Sequence, residues 1–208
     1  MGSRPKVAVL DYGIGNLRSA EKGLAKVGAD ARLTADRAEI EAADGVVLPG
    51  VGAFGRCMEA LAGHGLAEVA VEAAGSGRPF FGICVGMQLL YEGSEESPGV
   101  AGLGVLEGQV RLLEGPVKRP QMQWNALTVV GSGGSGGPAM FAGLHRPVWV
   151  YFVHSYAAGP SADVVATCDY GGPVTAAVAR DRLWATQFHP EKSGTAGLGI
   201  LANFVASL

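Results

Sequence analysis

The chain has 208 residues, 48% of them hydrophobic and 17% charged, and its 33 Gly and 11 Pro stay below the share that marks low-complexity sequence. That is enough chain for a substantial core in one domain, with more apolar content than a disordered segment carries. With 16 Lys and Arg against 19 Asp and Glu, the net charge of −3 offers no basic field to phosphate backbones, which excludes a nucleic-acid binder.

Lys6–Asp11 is a short apolar run that stops at turn residues, and it reads as a buried first strand. Asn16 fits the N-cap of a helix over Leu17–Val27, with Leu17, Ala20, Leu24 and Val27 on one face and Gly28 as its stop. Ala31–Ala35 is a second strand, a short helix follows from Asp36, and Val46–Leu48 is a third strand halted by Pro49-Gly50. Helical spacing covers Phe54–Leu61 and Leu66–Ala74. Pro79–Ile83 is a fourth strand, and helical spacing resumes over Val85–Tyr91. Alternating strands and helices predict a parallel sheet with crossover helices. In the second half, Gln109–Leu113, Trp124–Val130, Val148–Ser155 and Val164–Asp169 read as strands, and Thr175–Ala179 and Leu183–Phe188 as a hairpin around Arg180–Arg182. A last helix spans Ala196–Ser207. The predicted fold is α/β: an open mixed, mostly parallel sheet flanked by helices, with antiparallel strands from the second half. The Gly/Ser tract over residues 131–137 reads as a flexible surface connection.

No apolar run approaches the roughly 18 residues of a membrane span. Val7–Leu10 is too short for a signal-peptide core, and Lys6 stands where a myristoylation motif wants Ser or Thr. Cys57, Cys84 and Cys168 are too widely spaced for a disulfide framework or a metal knuckle, and the four histidines are scattered. A reduced, cytosolic protein without a metal site is expected.

The most informative segment is Phe80-Phe81-Gly82-Ile83-Cys84-Val85-Gly86-Met87-Gln88, where a strand runs through Gly-x-Cys-x-Gly into a helix. That is the layout of a nucleophile elbow with sulfur in place of oxygen. The helix start aims its positive end and free N–H groups at Cys84, favouring thiolate, and the Val85 N–H is placed to donate to a developing oxyanion. A buried inert cysteine between packing glycines is the competing reading. A thiolate nucleophile needs a base and a group to orient it. His189 precedes Pro190, which biases it toward extended backbone, and i, i+2 spacing then sets Glu191 beside it. Leu48-Pro49-Gly50-Val51-Gly52 follows the third strand, at the carboxyl end where open α/β sheets bind ligands, and its N–H groups offer a second oxyanion donor. Val153-His154-Ser155-Tyr156 ends a further strand with polar side chains.

Together these segments resemble the triad glutamine amidotransferases over essentially the whole chain, as one amidotransferase domain over residues 1–208. Asp11-Tyr-Gly-Ile-Gly-Asn16 and Gln187-Phe-His-Pro-Glu-Lys-Ser-Gly194 are similar to the glutaminase subunits of imidazole glycerol phosphate synthase. The resemblance implies that Cys84 is the nucleophile on L-glutamine, with His189 its base and Glu191 orienting His189. It implies Gly50, Val51 and Gly52 with the Val85 N–H as the oxyanion site, and Gln88, Ser155 and Tyr156 as holding the substrate's amino-acid end. It implies no cofactor, and a (β/α)8-barrel cyclase partner that receives the ammonia in a heterodimer and makes imidazole glycerol phosphate and an aminoimidazole carboxamide ribotide. Asn16, Trp124 and Lys192 would face that partner, Trp124 having a core strand position as its alternative. Cys57 and Cys168 match no functional position and are read as small packing residues. The family usually has Pro-His-Met-Gly-Trp-Asn where this chain has Pro120-Gln121-Met122-Gln123-Trp124-Asn125, a departure that bears on the fit to the partner. A stand-alone triad γ-glutamyl hydrolase, the glutaminase of a paralogous synthase, and a binding subunit with an idle triad are the other readings. Asp11–Asn16 and Lys192-Ser193 argue against the first of these.

Overall fold

The computed structural model describes residues 4–14, 17–130 and 138–208. Asn16 and the Gly/Ser tract over 131–137 therefore lie outside the described residues. The first half alternates as its periodicity requires: β1 (Lys6–Leu10), α1 (Leu17–Lys26), β2 (Asp30–Thr34), α2 (Arg37–Glu41), β3 (Gly45–Gly50), α3 (Phe54–Gly63), α4 (Leu66–Gly75), β4 (Phe80–Cys84) and α5 (Val85–Leu89). Leu17, Ala20 and Leu24 are the buried stripe of α1, and the Asp36 carboxylate caps α2 by accepting the Glu39 N–H at 3.0 Å.

The second half adds β5 (Gly93–Ser94), β6 (Gln109–Leu112), β7 (Gln121–Ala126), β8 (Thr128–Val129), β9 (Trp149–His154), β10 (Tyr156–Ala158), β11 (Val164–Asp169), β12 (Pro173–Arg180), β13 (Leu183–Thr186) and α6 (Gly194–Ala206). The strand expected over Trp124–Val130 begins earlier, at Gln121, and breaks at Leu127 into β7 and β8, which join different sheets. The main sheet runs β2-β1-β3-β4-β13-β12-β11-β8. Its pairs are parallel from β2 through β4 to β13, then antiparallel out to β8. The mixed, mostly parallel sheet read from the sequence is the one observed.

Every residue of β3 and β4 is buried, which is why both read as continuous apolar runs rather than alternating ones. Helix α1 packs on α6, and α3 packs on α4 and α5, so helices cover the sheet's centre. Arg180 and Leu183 pair across the Asp181-Arg182 turn, and that hairpin inserts β13 beside β4 in parallel register, Thr186 against Ile83. The hairpin thus brings the segment after β13 to the end of the sheet where Cys84 emerges. Outside the main sheet, β7 and β9 form an antiparallel ribbon, and β10-β6-β5 a second small sheet.

Candidate active site

Cys84 closes β4 with φ 55° and ψ −111°, a left-handed backbone that non-glycine residues rarely adopt. Such strain persists only where the surroundings enforce it. Here they do: the chain turns so sharply into α5 that a Cβ on Gly86 would overlap the Leu48 carbonyl oxygen on β3. Helix α5 is only five residues long, shorter than its apolar spacing suggests. The Leu103 and Leu106 N–H groups take the carbonyls of Leu89 and Leu90 at 2.8 Å each, so a loop, and not a further turn, satisfies the helix end. What α5 offers Cys84 is therefore the N–H groups of one turn rather than a long macrodipole.

His189 follows β13 in extended backbone (φ −97°, ψ 99°), as Pro190 requires, and its N–H donates to the Tyr151 carbonyl on β9 at 3.1 Å. The chain then bends into a 3₁₀ turn over Pro190–Lys192. Glu191 thus meets His189 through a turn and not through the strand alternation expected from the sequence. The Nδ1 to Oε1 distance is 2.8 Å, with both side chains almost fully buried. Ser193 fixes this turn: its hydroxyl donates to the His189 carbonyl at 2.6 Å and accepts the Tyr151 N–H at 3.0 Å. Burial pushes the His189 imidazole down, but hydrogen bonds and charge from Cys84 and Glu191 outweigh it and hold the ring up at about 9. Pairing with Cys84 and Glu191 thus favours the protonated ring against the pull of burial.

A cavity of about 390 Å³ opens over Cys84 and His189. Val51, Gly52, Val85, Gln88, Ser155 and Tyr156 from the expected set line it, and Gly50 lies just beneath, at the end of β3. Lys192, expected on the partner face, also lines this cavity. Gln88 is buried, and both its amide hydrogens are spent inside the protein, on the Tyr156 carbonyl at 2.9 Å and on Gln187 Oε1 at 3.0 Å.

Three residues escaped the sequence reading. Gln187, fully buried, turns its amide nitrogen toward Cys84 Sγ at 3.8 Å. Glu96 lines the cavity and accepts the Phe54 N–H at 2.8 Å, so the cavity carries one anionic and one cationic head, Glu96 and Lys192. His154 also lines it. Burial pushes that imidazole down to about 4, so it is neutral; Nδ1 donates to the Tyr156 carbonyl at 2.9 Å and Nε2 has no partner among the described residues. Gln187 and His154 lie in the motif segments, but only packing singles them out.

Trp124 is 48% exposed, which removes the core alternative. It pairs with Tyr151 across the β7–β9 ribbon, flanked by Met122 opposite Val153 and Ala126 opposite Trp149, so these six share one face. Met122 and Trp149 are exposed too, and the Trp124 ring abuts Gly194, next to the Lys192-Ser193 turn. The departures from the family pattern lie on the other face of β7: the Gln121 and Gln123 amides both donate to Asn125 Oδ1, at 3.1 and 2.7 Å. Gln121 is fully buried, near Cys168 Sγ. Among the described residues, no helix is long and apolar enough to cross a membrane.

The family described as glutamine amidotransferase class-I matches residues 8–208. The chain is 50% identical over 213 residues to the imidazole glycerol phosphate synthase subunit HisH of Synechococcus elongatus, covering 100% of this chain and 96% of that one. It is 49% identical to the subunit of the same name from Methanothermobacter thermautotrophicus, covering 96% and 97%. A crystal structure of a glutamine amidotransferase superposes with a TM-score of 0.74 at 20% identity, covering 97% of this chain and 99% of that one, a likeness of fold alone.

Proposed function

The chain belongs to the class-I glutamine amidotransferases, and from that premise we propose that Cys84, His189 and Glu191 are the triad with which it hydrolyses L-glutamine to glutamate and ammonia. The observation that carries the reading is the buried Glu191–His189 pair at 2.8 Å, with His189 and Cys84 lining one cavity sized for an amino acid. The whole length, residues 1–208, acts as one amidotransferase domain.

In this reading the Cys84 thiolate attacks the side-chain carbonyl carbon of glutamine, and the Val85 N–H with the Gly50–Gly52 loop receives the oxyanion. The His189 imidazolium gives its proton to the amide nitrogen as the C–N bond breaks, and ammonia leaves a γ-glutamyl thioester. The now neutral ring takes a proton from water, whose oxygen attacks the thioester. The C–S bond breaks, releasing glutamate and restoring thiolate and imidazolium. Glu191 keeps the ring's Nδ1–H engaged throughout. Ser155, Tyr156 and Gln88 frame the substrate's amino-acid end, with Glu96 suited to its ammonium and Lys192 to its carboxylate.

Likeness to HisH subunits over the whole chain supports a cytosolic role in histidine biosynthesis, delivering ammonia to a (β/α)8-barrel cyclase subunit. The exposed Met122–Trp124–Tyr151–Trp149 face beside Lys192 is the docking surface this reading assigns to that partner, since large aromatics are enriched at interface cores. Gln121 and Gln123 project from the opposite side of β7, so the departure from the family pattern leaves this face intact. Cys84→Ala tests the triad. In the complex it abolishes glutamine-dependent synthesis and leaves ammonia-dependent synthesis running; glutaminase activity retained in Cys84→Ala overturns the assignment.

A further inference from the structure

We propose that Ser193 is a positioning residue of the glutaminase site, fastening the turn that carries His189 and Glu191 to strand β9 and so fixing where the imidazole stands. The inference rests on the function proposed above. Ser193 is buried at the N-cap of α6, where a serine hydroxyl ordinarily accepts an N–H of the first helical turn. It makes no such bond here. Its hydroxyl instead accepts the N–H of Tyr151, 42 residues back along the chain, at 3.0 Å, and donates to the His189 carbonyl at 2.6 Å. The hydroxyl is thus diverted from capping its own helix to joining two other elements.

Tyr151 completes the clamp with its own backbone. Its carbonyl accepts the His189 N–H at 3.1 Å, so both peptide polar groups of Tyr151 engage the triad turn. His189 is held on both sides of its Cα, through its N–H by Tyr151 and through its carbonyl by Ser193, with the Lys192 N–H on the same carbonyl at 3.0 Å. Glu191 Oε1 then sets the ring itself, through Nδ1 at 2.8 Å. The anchor is firm, because β9 pairs with β7 over six residues, Tyr151 opposite Trp124. Nor can the turn retreat the other way. The Gly197 N–H of α6 donates to the Ser193 carbonyl at 3.0 Å, and a Cβ on Gly197 would overlap the Pro190 carbonyl oxygen. An acid or base works only within hydrogen-bond reach of the proton it moves, and a misplacement of about 1 Å can cost roughly 10²-fold in rate. Ser193 therefore acts on the reaction through His189, without touching the reacting atoms.

The test measures glutamate release by the chain in complex with its cyclase subunit, alongside NMR titration of the His189 imidazole in the full chain labelled at histidine. Ser193→Ala removes the hydroxyl and little else. Its kcat falls about tenfold with KM within about twofold, because the base is displaced while the substrate's contacts stay. Its His189 imidazole titrates below the wild-type position, toward the ordinary 6.5, since looser contact with Glu191 and Cys84 leaves burial less opposed. Ser193→Cys, with a thiol that is a weaker donor and acceptor, falls between the two. A serine that serves stability alone would lower the melting temperature and leave both readings in place. Wild-type kcat in folded Ser193→Ala overturns the proposal, as does an unmoved imidazole titration. A kcat restored by excess cyclase overturns it too, because docking and not the base would then have failed. If Ser193→Ala does not fold, Ser193→Cys decides, and wild-type kcat there overturns the proposal. No glutamate release by the unsubstituted complex overturns the assigned reaction and the positioning role with it; normal release with unaffected variants overturns the positioning role alone.

Discussion

The amide nitrogen of Gln187 stands 3.8 Å from the sulfur of Cys84, and its amide oxygen is held at 3.0 Å by Gln88. Gln88 is in turn fixed to the Tyr156 carbonyl, so a neutral side chain that cannot titrate is locked as a donor to the nucleophile. Gln187→Met keeps the length and removes the donor. A hydrogen bond to a charged group is worth about 1.5 kcal/mol, so alkylation of Cys84 by iodoacetamide at neutral pH is expected to slow about tenfold. Alkylation at the wild-type rate in a folded Gln187→Met would show that the amide does not support the thiolate.

The pairing of His189 makes stability depend on pH with a definite sign. Its pKa is raised from an ordinary 6.5 to about 9, because Cys84 and Glu191 together outweigh the burial that pushes it down. A raised folded-state value contributes stability in full below about 6.5 and loses it as pH climbs through about 9. The melting-temperature gap between the wild type and His189→Gln is therefore expected to be widest at mildly acidic pH and to narrow in alkali. Differential scanning fluorimetry across that range checks it, and a gap independent of pH rejects the imidazolium.

Trp124 is half exposed on the lone chain and faces outward with Met122 and Trp149. Trp124→Ala is expected to weaken binding to the cyclase subunit by at least about 1–2 kcal/mol, the range of an interface anchor. Calorimetric titration measures the loss. The melting temperature of the lone chain should barely move, and a large drop would return Trp124 to a structural role.

Gly86 has no room for a side chain, since a Cβ meets the Leu48 carbonyl, a backbone atom that cannot rotate away. Gly86→Ala is expected to cost about 3 kcal/mol in urea unfolding, the upper end of overpacking penalties. A loss under about 0.5 kcal/mol, the scale of an ordinary surface substitution, would mean that the elbow can widen.

Much of this was legible in the residues because the first half obeys simple rules. Buried strands such as Val46–Leu48 and Phe80–Ile83 are apolar throughout, and helices of three-to-four periodicity intervene, although β3 runs on through Pro49 and Gly50, which the sequence reads as its stop. Cys84, His189 and Glu191 stood out as nucleophile, base and orienting carboxylate in motif settings, and the structure brings all three together. What escaped had no local signal. Strands β5 and β10 are two and three residues long, too short for a period to show. The start of β7 carries an inverted pattern: Gln121 is buried while the apolar Met122 and Trp124 face outward, so its alternation does not mark a strand with an apolar inner face. Cys57 was read as packing, and Gln187 and Tyr12 as parts of motifs. The hydrogen bonds of Gln187 and Tyr12 depend on partners 103 and 37 residues away, which tertiary packing alone brings near. The turn over Pro190–Lys192 likewise needed the structure, since Ser193 bonds on β9 shape it.

The insertion of β13 beside β4 has a kinetic side. Cys84 and His189 meet only when a strand more than a hundred residues downstream docks on the strand that carries Cys84, and closing so long a loop is slow compared with forming the local βα units. Until then β4 is an open edge, Phe80-Phe-Gly-Ile-Cys84, apolar and free to pair with another chain. The same event that seals this sticky edge delivers His189 to the sulfur, so a partly folded chain is both prone to aggregate and chemically quiet. The thiol gains its imidazolium partner only in molecules that have finished folding, which ties hydrolytic competence to quality of assembly.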